Sequence, residues 1–262
     1  MLRMRLLLLF VSVFNLPILV SAQTAAQSYP QAIGLGQQSV AMLTRGTAIS
    51  DVTLTGNVTQ IYGSDSETGT GTFSAKGTNE SRVDLVLSGG SRSDVRNAIG
   101  GDPRGAWSAN GATAKAYAGH NCWTDAVWFF PALSSLAQFS NPGFVFKYIG
   151  PELHGGANVQ HIRVSQAATN DPRGTVQQLS IVDFYLDTNS NLPHAIAVNI
   201  HPDKNMGINI PLELCFADYQ AVAGVLVPVH FQQMLNGGVV LDVRVTNVKL
   251  NTNLLDALFA LP

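Results

Sequence analysis

The sequence predicts an α+β protein made mainly of antiparallel β-strands, with about eight to eleven strands and one or more short helices. From residue 51 onward, most segments alternate apolar and polar side chains, which is typical of strands with one buried face. The connecting segments are short and contain Gly, Asn, Asp and Pro, the residues that favour turns. These strands lack the continuous apolar runs of parallel α/β sheets, so the pattern favours an antiparallel meander.

The first residues predict a secretory signal peptide over 1–22. Two arginines precede an apolar run over 6–20, and small residues lead to a cleavage position after Ala22. The run contains Pro17 and has about 15 residues, fewer than the roughly 20 that a membrane-spanning helix requires. We therefore expect one domain over 23–262 in the periplasm or outside the cell, with an uncleaved membrane anchor as the alternative. No cysteine lies near the cleavage position, so a lipid anchor is not expected.

The composition argues against a nucleic-acid partner. The chain carries 15 Lys and Arg against 17 Asp and Glu, and removal of the signal peptide with its two arginines leaves 13 against 17. Only 12% of the residues are charged and no basic cluster is present, whereas phosphate contacts need concentrated Lys and Arg. We expect a slightly acidic monomer without a cofactor.

One amphipathic helix is predicted before the strands, over Leu35–Arg45, with Gly46 as its stop signal. The helix places Leu35, Val40, Met42 and Leu43 on its apolar side. The strands that follow each have one apolar face with period two. The predicted buried positions are Val52, Leu54 and Val58, then Val83, Leu85 and Leu87, then Ile162 and Val164, then Val182, Phe184 and Leu186, then Ile196, Val198 and Ile200, and finally Ile208, Ile210, Leu212, Leu214 and Phe216.

Turn residues predict where two of these strands are joined and where ladders are interrupted. Asn236 and Gly237 lie between two strand patterns and form the strongest short hairpin signal. Pro211 and Pro228 lie inside predicted strands, and a proline cannot donate to a ladder. We expect edges or bulges at both prolines.

An aromatic segment interrupts the strand pattern over Asn121–Gly143. It contains Trp123 and Trp128 together with three phenylalanines, and Pro131 suits the first turn of a helix. The segment predicts a short aromatic-rich helix in the middle of the sheet sequence. Such a helix either belongs to the core or closes a ligand cavity, and the sequence leaves both alternatives open.

The two cysteines, Cys122 and Cys215, allow a disulfide in an exported protein. Two unpaired thiols are the alternative, because Cys215 falls on the polar face of its predicted strand.

No pattern of catalytic residues stands out. His120 lies two positions before Cys122, which is weak evidence for a nucleophile and base pair. Asp183 and Asp187 share the polar face of one strand, which we interpret as a solvated outer surface. His194 and His201 bracket a strand seven residues apart, and an odd spacing directs them to opposite faces, so no metal site is expected. We predict a protein that is not an enzyme, with an exported hydrolase that uses His120 or the Asp183 face as the alternative.

The last third of the chain carries a recognisable order of structural residues. One strand ends in a Leu-Asp pair that leads through a turn to Leu-Pro, a later strand carries an aromatic residue, a Gly and a Pro, and the final strand passes an Asn into a Phe-x-x-Pro tail: Leu186, Asp187, Leu192 and Pro193, then Tyr219, Gly224 and Pro228, then Asn251, Phe259 and Pro262. This order resembles the C-terminal half of the LolA-type periplasmic lipoprotein carriers and their relatives. Compared with the compact carriers, the chain is longer and has extended loops over 63–71 and 88–105.

The resemblance implies an incomplete antiparallel β-barrel, a half-barrel, that curls around helices and holds acyl chains on its concave face. The expected function is that of an exported carrier or sensor that binds the acyl chains of lipids or lipoproteins. The candidate apolar lining is Val52, Leu54, Val83, Leu85, Leu87, Trp128, Phe129, Ile162, Phe184, Ile196 and Val198. The alternative is a structural or protein-interaction module, in which the half-barrel is permanently filled and exposed strand edges bind another envelope protein.

Overall fold

A computed structural model describes residues 27–98, 101–167 and 171–262. The predicted signal peptide lies outside these residues. Within them the chain forms one open antiparallel sheet of 13 strands, which confirms the predicted fold class and exceeds the predicted strand number. The strands are β1 (Asp51–Tyr62), β2 (Asp65–Lys76), β3 (Glu80–Leu87), β4 (Gly90–Asn97), β5 (Arg104–Ala109), β6 (Lys115–Ala116), β7 (Phe144–His154), β8 (Ala157–Gln166), β9 (Val182–Asp187), β10 (Pro193–Ile200), β11 (Ile210–Val222), β12 (Val225–Leu235) and β13 (Gly238–Leu250).

Short helical elements complete the described part of the chain. Helix α1 precedes the sheet and α2 lies between β8 and β9, while four 3₁₀ turns occupy the connection from β6 to β7 and the C-terminal tail. The helical elements are α1 (Pro30–Thr44), α2 (Thr175–Leu179), η1 (Gly119–Cys122), η2 (Pro131–Leu133), η3 (Ser135–Gln138) and η4 (Asp256–Phe259).

The sheet is built from two meanders that meet in its middle. Strands β1 to β6 run from the centre to one edge, and β7 to β13 run from the other edge back to β1. The β1–β13 pairing joins the two halves, with Val52 opposite Leu250. In the described ranges β6 and β7 each have one neighbour, so the barrel remains open.

Helix α1 fills part of the concave face. It begins at Pro30, five residues before the predicted start, and contacts β7, β8, β12, η2 and η3. Gly36 lies so close to β7 that an added Cβ would be 3.1 Å from the Phe146 ring. The helix ends at Thr44, and the next residue, Arg45, adopts a left-handed φ of 49° before Gly46. Met42 was predicted on the apolar side but is 40% exposed.

The aromatic segment forms three 3₁₀ turns, η1, η2 and η3, in place of the single short helix that the sequence predicts. Extended residues, Phe130 and Ser134, flank η2, and side chains satisfy the backbone locally. Ser134 caps η3 by accepting a hydrogen bond from Leu136 N, and the Asp125 carboxylate accepts one from Ser135 N at 3.1 Å. Pro131 begins η2, as the sequence indicates for a first helical turn.

The predicted apolar faces of β1, β3, β8, β9 and β10 are largely buried in the structure, whereas Ile208 is 51% exposed because β11 begins only at Ile210. The prediction of extended loops over 63–71 and 88–105 is wrong. They contain most of β2 and β4, whose alternation is carried by glycine and charged residues. An added Cβ at Gly71 would lie 2.7 Å from Val58, so this strand needs glycine on its inner face.

The predicted hairpin is confirmed, whereas the pairing shows no bulge at Pro211 or Pro228. Asn236 and Gly237 connect β12 and β13 with φ values of 49° and 80°, the left-handed conformations of a type I′ hairpin. Pro228 pairs with Tyr219 of β11 and lies before the part of β12 that pairs with β13. The missing N–H of the proline therefore interrupts no hydrogen bonds between β12 and β13. Pro211 pairs with Asn199 near the start of β11.

The residues that carry the family resemblance stabilise turns and the chain end. Asp187 accepts hydrogen bonds from Ser190 N at 2.8 Å and Asn189 N at 3.1 Å, which forms the turn before β10. The Tyr219 hydroxyl donates to Pro193 O at 2.8 Å. Asn251 receives a hydrogen bond from the Ser50 amide at 2.8 Å. The residues that resemble those of the carriers therefore have structural roles in the fold.

The C-terminal tail lies on the convex side of the sheet. Phe259 is fully buried, and its carbonyl accepts a hydrogen bond from Asn97 Nδ2 at 2.7 Å. Asn97 and Val95 alternate along β4 with Arg96, which faces the concave side. The tail therefore covers the outer surface of β3 and β4, which η4 contacts.

The convex face of β7 to β9 carries a partly buried charge network where the sequence predicts a solvated surface. Asp183 is only 15% exposed, and its carboxylate accepts hydrogen bonds from Arg163 Nε at 2.7 Å and Nη2 at 3.0 Å. His161 lies between two carboxylates, with Nε2 2.9 Å from Asp183 and Nδ1 2.8 Å from Glu152.

We expect Asp183→Asn to lower the free energy of unfolding by about 2 kcal/mol at neutral pH, because hydrogen bonds to a charged group are lost. Burial raises the pKa of Asp183, but the bonds from His161 and Arg163 outweigh it and hold the pKa below its usual value. This contribution is therefore complete above about pH 4 and is lost as the pH falls further. Urea unfolding from pH 3 to pH 7, with the exposed Asp65→Asn as the control, measures it. A difference from wild type that stays constant over this range would contradict the assignment.

Candidate functional site

A cavity of about 560 Å³ lies on the concave side, at the end of the half-barrel that contains the β12–β13 turn. This volume is within the range of about 300 to 1,000 Å³ that is typical of small-molecule sites. One part of its wall is apolar and is formed by inward-facing side chains of several strands together with one tryptophan: Val83, Leu85, Trp128, Ile196, Val198, Leu212, Leu214, Leu235, Val240 and Leu241.

The structure divides the predicted lining residues between this cavity and a closed core. The five that line the cavity are Val83, Leu85, Trp128, Ile196 and Val198. The remaining six belong to the core and are at most 7% exposed: Val52, Leu54, Leu87, Phe129, Ile162 and Phe184. Because α1 and the η2–η3 turns occupy the other part of the concave face, that part is filled by the protein itself.

The aromatic segment serves the core and the cavity together. Phe129 and Phe130 are fully buried, whereas Trp128 lies on the cavity wall. The Trp128 ring meets Phe73 and Phe231 edge-on, with centroid distances of 6.0 Å to each. Trp128 is thereby fixed between the core and the cavity.

The other end of the cavity is polar, and sequence reasoning missed it. Arg92, Asp94 and Arg96 face the cavity from β4, and Tyr117 and Asn121 complete this end. The alternation in "GSRSDVRN" was the available signal, because residues two apart on a strand share a face. The sequence predicts a loop here, because the inward positions of this strand are charged.

Hydrogen bonds hold most of these polar groups in place. The Tyr117 hydroxyl donates to the Asp94 carboxylate. Burial raises the pKa of Asp94, and burial together with the Asp94 charge raises the pKa of Tyr117. Arg96 donates to Asn121 O at 3.2 Å and lies 5.5 Å from the centre of the Tyr117 ring. Burial also raises the pKa of Asp125 to about 6, although Ser135 donates to its carboxylate.

A second cavity of about 360 Å³ adjoins the first and has a mainly polar lining. The two cavities share Arg96, Thr124 and Asp125, which form the partition between them. Trp123 and Cys122 line the second cavity and not the first. Of the two tryptophans in the aromatic segment, only Trp128 can report on the apolar cavity.

The two cysteines are free thiols on opposite sides of the sheet, so the disulfide that the sequence allowed is not formed. Cys122 lies in η1, with its sulfur 3.9 Å from Ala118 O. Cys215 faces the convex side, 3.4 Å from Glu213 and 3.6 Å from Met234. Burial, followed by the Glu213 charge, raises the pKa of Cys215 to about 12.

The histidines lie in separate environments. His120 Nε2 is 3.2 Å from Pro202 O, and burial raises the pKa of the neighbouring Cys122 thiol, which disfavours a thiolate nucleophile. His201 lines the apolar cavity, whereas His194 lies beside the Gly155 turn of the β7–β8 hairpin. Within the described ranges no three His, Cys, Asp or Glu side chains are grouped closely enough to hold a metal ion.

Among the residues that the structure covers, no helix has the length and apolar character needed to cross a membrane.

Comparisons with known proteins identify the fold. A scan against protein-family models gives no match, and a search of curated proteins gives none either. An outer membrane lipoprotein-sorting protein domain from Vibrio parahaemolyticus is similar in structure, with a TM-score of 0.53, 13% identity, and coverage of 87% of this chain and 96% of that one.

Two further solved structures are similar to this chain to about the same extent. A DUF1329 family protein from Desulfovibrio piger gives a TM-score of 0.54 at 12% identity, and covers 87% of this chain and 97% of its own. A LolA superfamily protein from Nitrosomonas europaea gives 0.52 at 9% identity, with the same coverage. The chain therefore has the half-barrel fold of the LolA superfamily and outer membrane lipoprotein-sorting proteins, as the sequence resemblance implies.

Proposed function

We propose that the protein is an exported, non-enzymatic carrier or sensor that binds an acyl chain of a lipid or lipoprotein in the apolar cavity. The observation that carries this proposal is the 560 Å³ cavity, which persists although α1 and the aromatic segment fill the rest of the concave face. Its apolar wall offers burial without any catalytic group. The fold, shared with a lipoprotein-sorting domain, supports a carrier role.

The burial of a chain can supply the binding energy. A buried methylene contributes about 0.8 kcal/mol, so burial of about a dozen methylenes of a hexadecanoyl chain contributes about 10 kcal/mol. Association costs at least about 4 kcal/mol in lost freedom. At most about 6 kcal/mol therefore remains, which corresponds to a Kd of tens of micromolar or weaker. Binding of this strength suits a carrier that must also release its cargo.

The proposal places the mature protein, residues 23–262, in the periplasm or outside the cell as a monomer. Its partners are the acyl chains of lipids or lipoproteins, and no cofactor is required. The predicted signal peptide provides the export, and the core of the half-barrel positions the cavity wall.

A second candidate function is a protein-interaction module of the envelope. It is favoured by the second half of β7, which lies at one edge of the sheet and exposes two apolar side chains, whereas Ser28 and Tyr29 bond to the backbone of Phe146 in its first half. Ile149 is 51% exposed and Leu153 is 71% exposed. An edge strand with unpaired backbone groups can add a strand from a partner.

Native mass spectrometry of the mature protein, purified from a periplasm without detergent, tests the proposed function. We expect extra mass that extracts as lipid, and a Kd of tens of micromolar or weaker for hexadecanoate. A nitroxide-labelled fatty acid should quench tryptophan fluorescence, and Trp128→Phe should reduce the quenching, because Trp128 lines the apolar cavity. A ligand-free mass together with no response to hexadecanoate would favour the interaction module.

A further inference from the structure

We propose that Arg92 makes the cavity selective for amphiphiles with an anionic head group, either a carboxylate or a phosphate. The inference rests on the proposed function, because the apolar part of the cavity must hold the chain of the same molecule. Arg92 lies on β4 directly opposite Leu85, and both residues line the cavity. Arg92 thus lies at the polar end of the cavity, next to the apolar wall.

The guanidinium group of Arg92 is available for a ligand. It lies 4.8 Å from the centre of the Tyr62 ring, which supports it from β1. In the part of the chain that the structure describes, the carboxylates within 4.0 Å of an arginine belong to the pairs of Arg82, Arg163 and Arg244, and none contacts Arg92.

Three other charged groups at this end already have protein partners. Arg96 donates to Asn121 O and to Thr124 Oγ1, while Asp94 accepts from Tyr117. Asp125 accepts from the amide and the hydroxyl of Ser135. These bonds leave Arg92 as the group that gains most from an added anion.

The remaining charges around Arg92 do not remove its donors. Glu67 on β2 directs its carboxylate to Gly89 in the β3–β4 turn, where an added Cβ would lie 2.4 Å from Oε1. Asp203 lines the same end from an exposed loop. Lys115 adds a further positive charge near this end, with Nζ 5.2 Å from the centre of the Trp107 ring on the cavity wall.

The chemistry of arginine determines the ligand class. Its planar guanidinium presents parallel N–H donors that match the two oxygens of a carboxylate or a phosphate. A neutral hydroxyl head group accepts only one such bond and carries no charge. With its chain against Leu85 and Val83, an anionic amphiphile therefore satisfies both ends of the cavity.

Three ligands with the same chain test the inference: hexadecanoate, hexadecyl phosphate and hexadecanol. Titration of the mature protein should show that at least one anion binds about tenfold more tightly than the alcohol, and the tighter anion identifies the head group. Arg92→Gln should remove this preference without changing the Kd for hexadecanol. Arg244→Gln, an exposed change on the convex face, should leave all three values as in the wild type. Higher salt should reduce the preference.

The possible outcomes separate the inference from the proposed function. Equal binding of the alcohol and both anions to the wild type would overturn the role of Arg92 and leave chain binding intact. A uniform loss of affinity for all three ligands in Arg92→Gln, in a variant whose unfolding midpoint is unchanged, would also overturn it. If none of the three ligands binds the wild type, both proposals fail.

Discussion

Replacement of Phe73 by alanine is expected to lower the free energy of unfolding by about 3 to 5 kcal/mol. Phe73 is fully buried on β2, and its ring contacts three aromatic neighbours from other elements. The centroid distances are 5.2 Å to Phe231, 5.4 Å to Phe129 and 6.0 Å to Trp128. The change removes aromatic contacts and leaves a cavity where the strands of both meanders meet. Urea unfolding followed by far-ultraviolet circular dichroism measures the loss.

Phe139→Ala is the matched control, because Phe139 is only partly buried against the same core. We expect it to cost about 1 to 2 kcal/mol, in proportion to the smaller area removed from water. If both variants lose the same free energy, the aromatic cluster around Phe73 is not the centre of the fold. In that case Trp128 would also lack the rigid support that the cavity wall requires.

The sequence is sufficient to predict a strand where large apolar side chains occupy every second position. The sequence predicts β9 and β10 with their buried faces, because large apolar side chains recur two residues apart, with polar residues between them in β9 and mainly small ones in β10. β2 and β4 were missed, because their inner positions are Gly71 and the charged residues Arg92 and Arg96. An apolar pattern cannot reveal a strand that faces a polar cavity end or packs through glycine.

The division between cavity and core could not be predicted, because it depends on contacts between distant parts of the chain. Val83 and Leu87 belong to one face of β3, yet only Val83 lines the cavity. Helix α1 contacts β7, β8 and β12, and it thereby decides which part of the concave face remains open. The period-two alternation of a strand shows which side chains share a face of the sheet. It does not show which other part of the chain covers that face.

Val198→Trp should abolish chain binding, with a loss of at least about a hundredfold in affinity for hexadecanoate. Val198 faces the cavity from β10 beside Ile196, and the larger side chain would occupy the space of several methylenes. Displacement of about four methylenes removes roughly 3 kcal/mol of burial, which is a factor of about 100 in Kd. Isothermal titration of the mature protein measures this change.

The same substitution on the opposite face separates filling of the cavity from a general effect of tryptophan. Val86 lies on the outer face of β3 and is 62% exposed, so Val86→Trp should bind hexadecanoate as the wild type does. Because the cavity has room for the new side chain, we expect Val198→Trp to unfold within about 1 kcal/mol of the wild type, below the usual cost of overpacking. Retained binding in a folded Val198→Trp variant would show that acyl chains lie elsewhere. The exposed β7 edge would then be the surface to test.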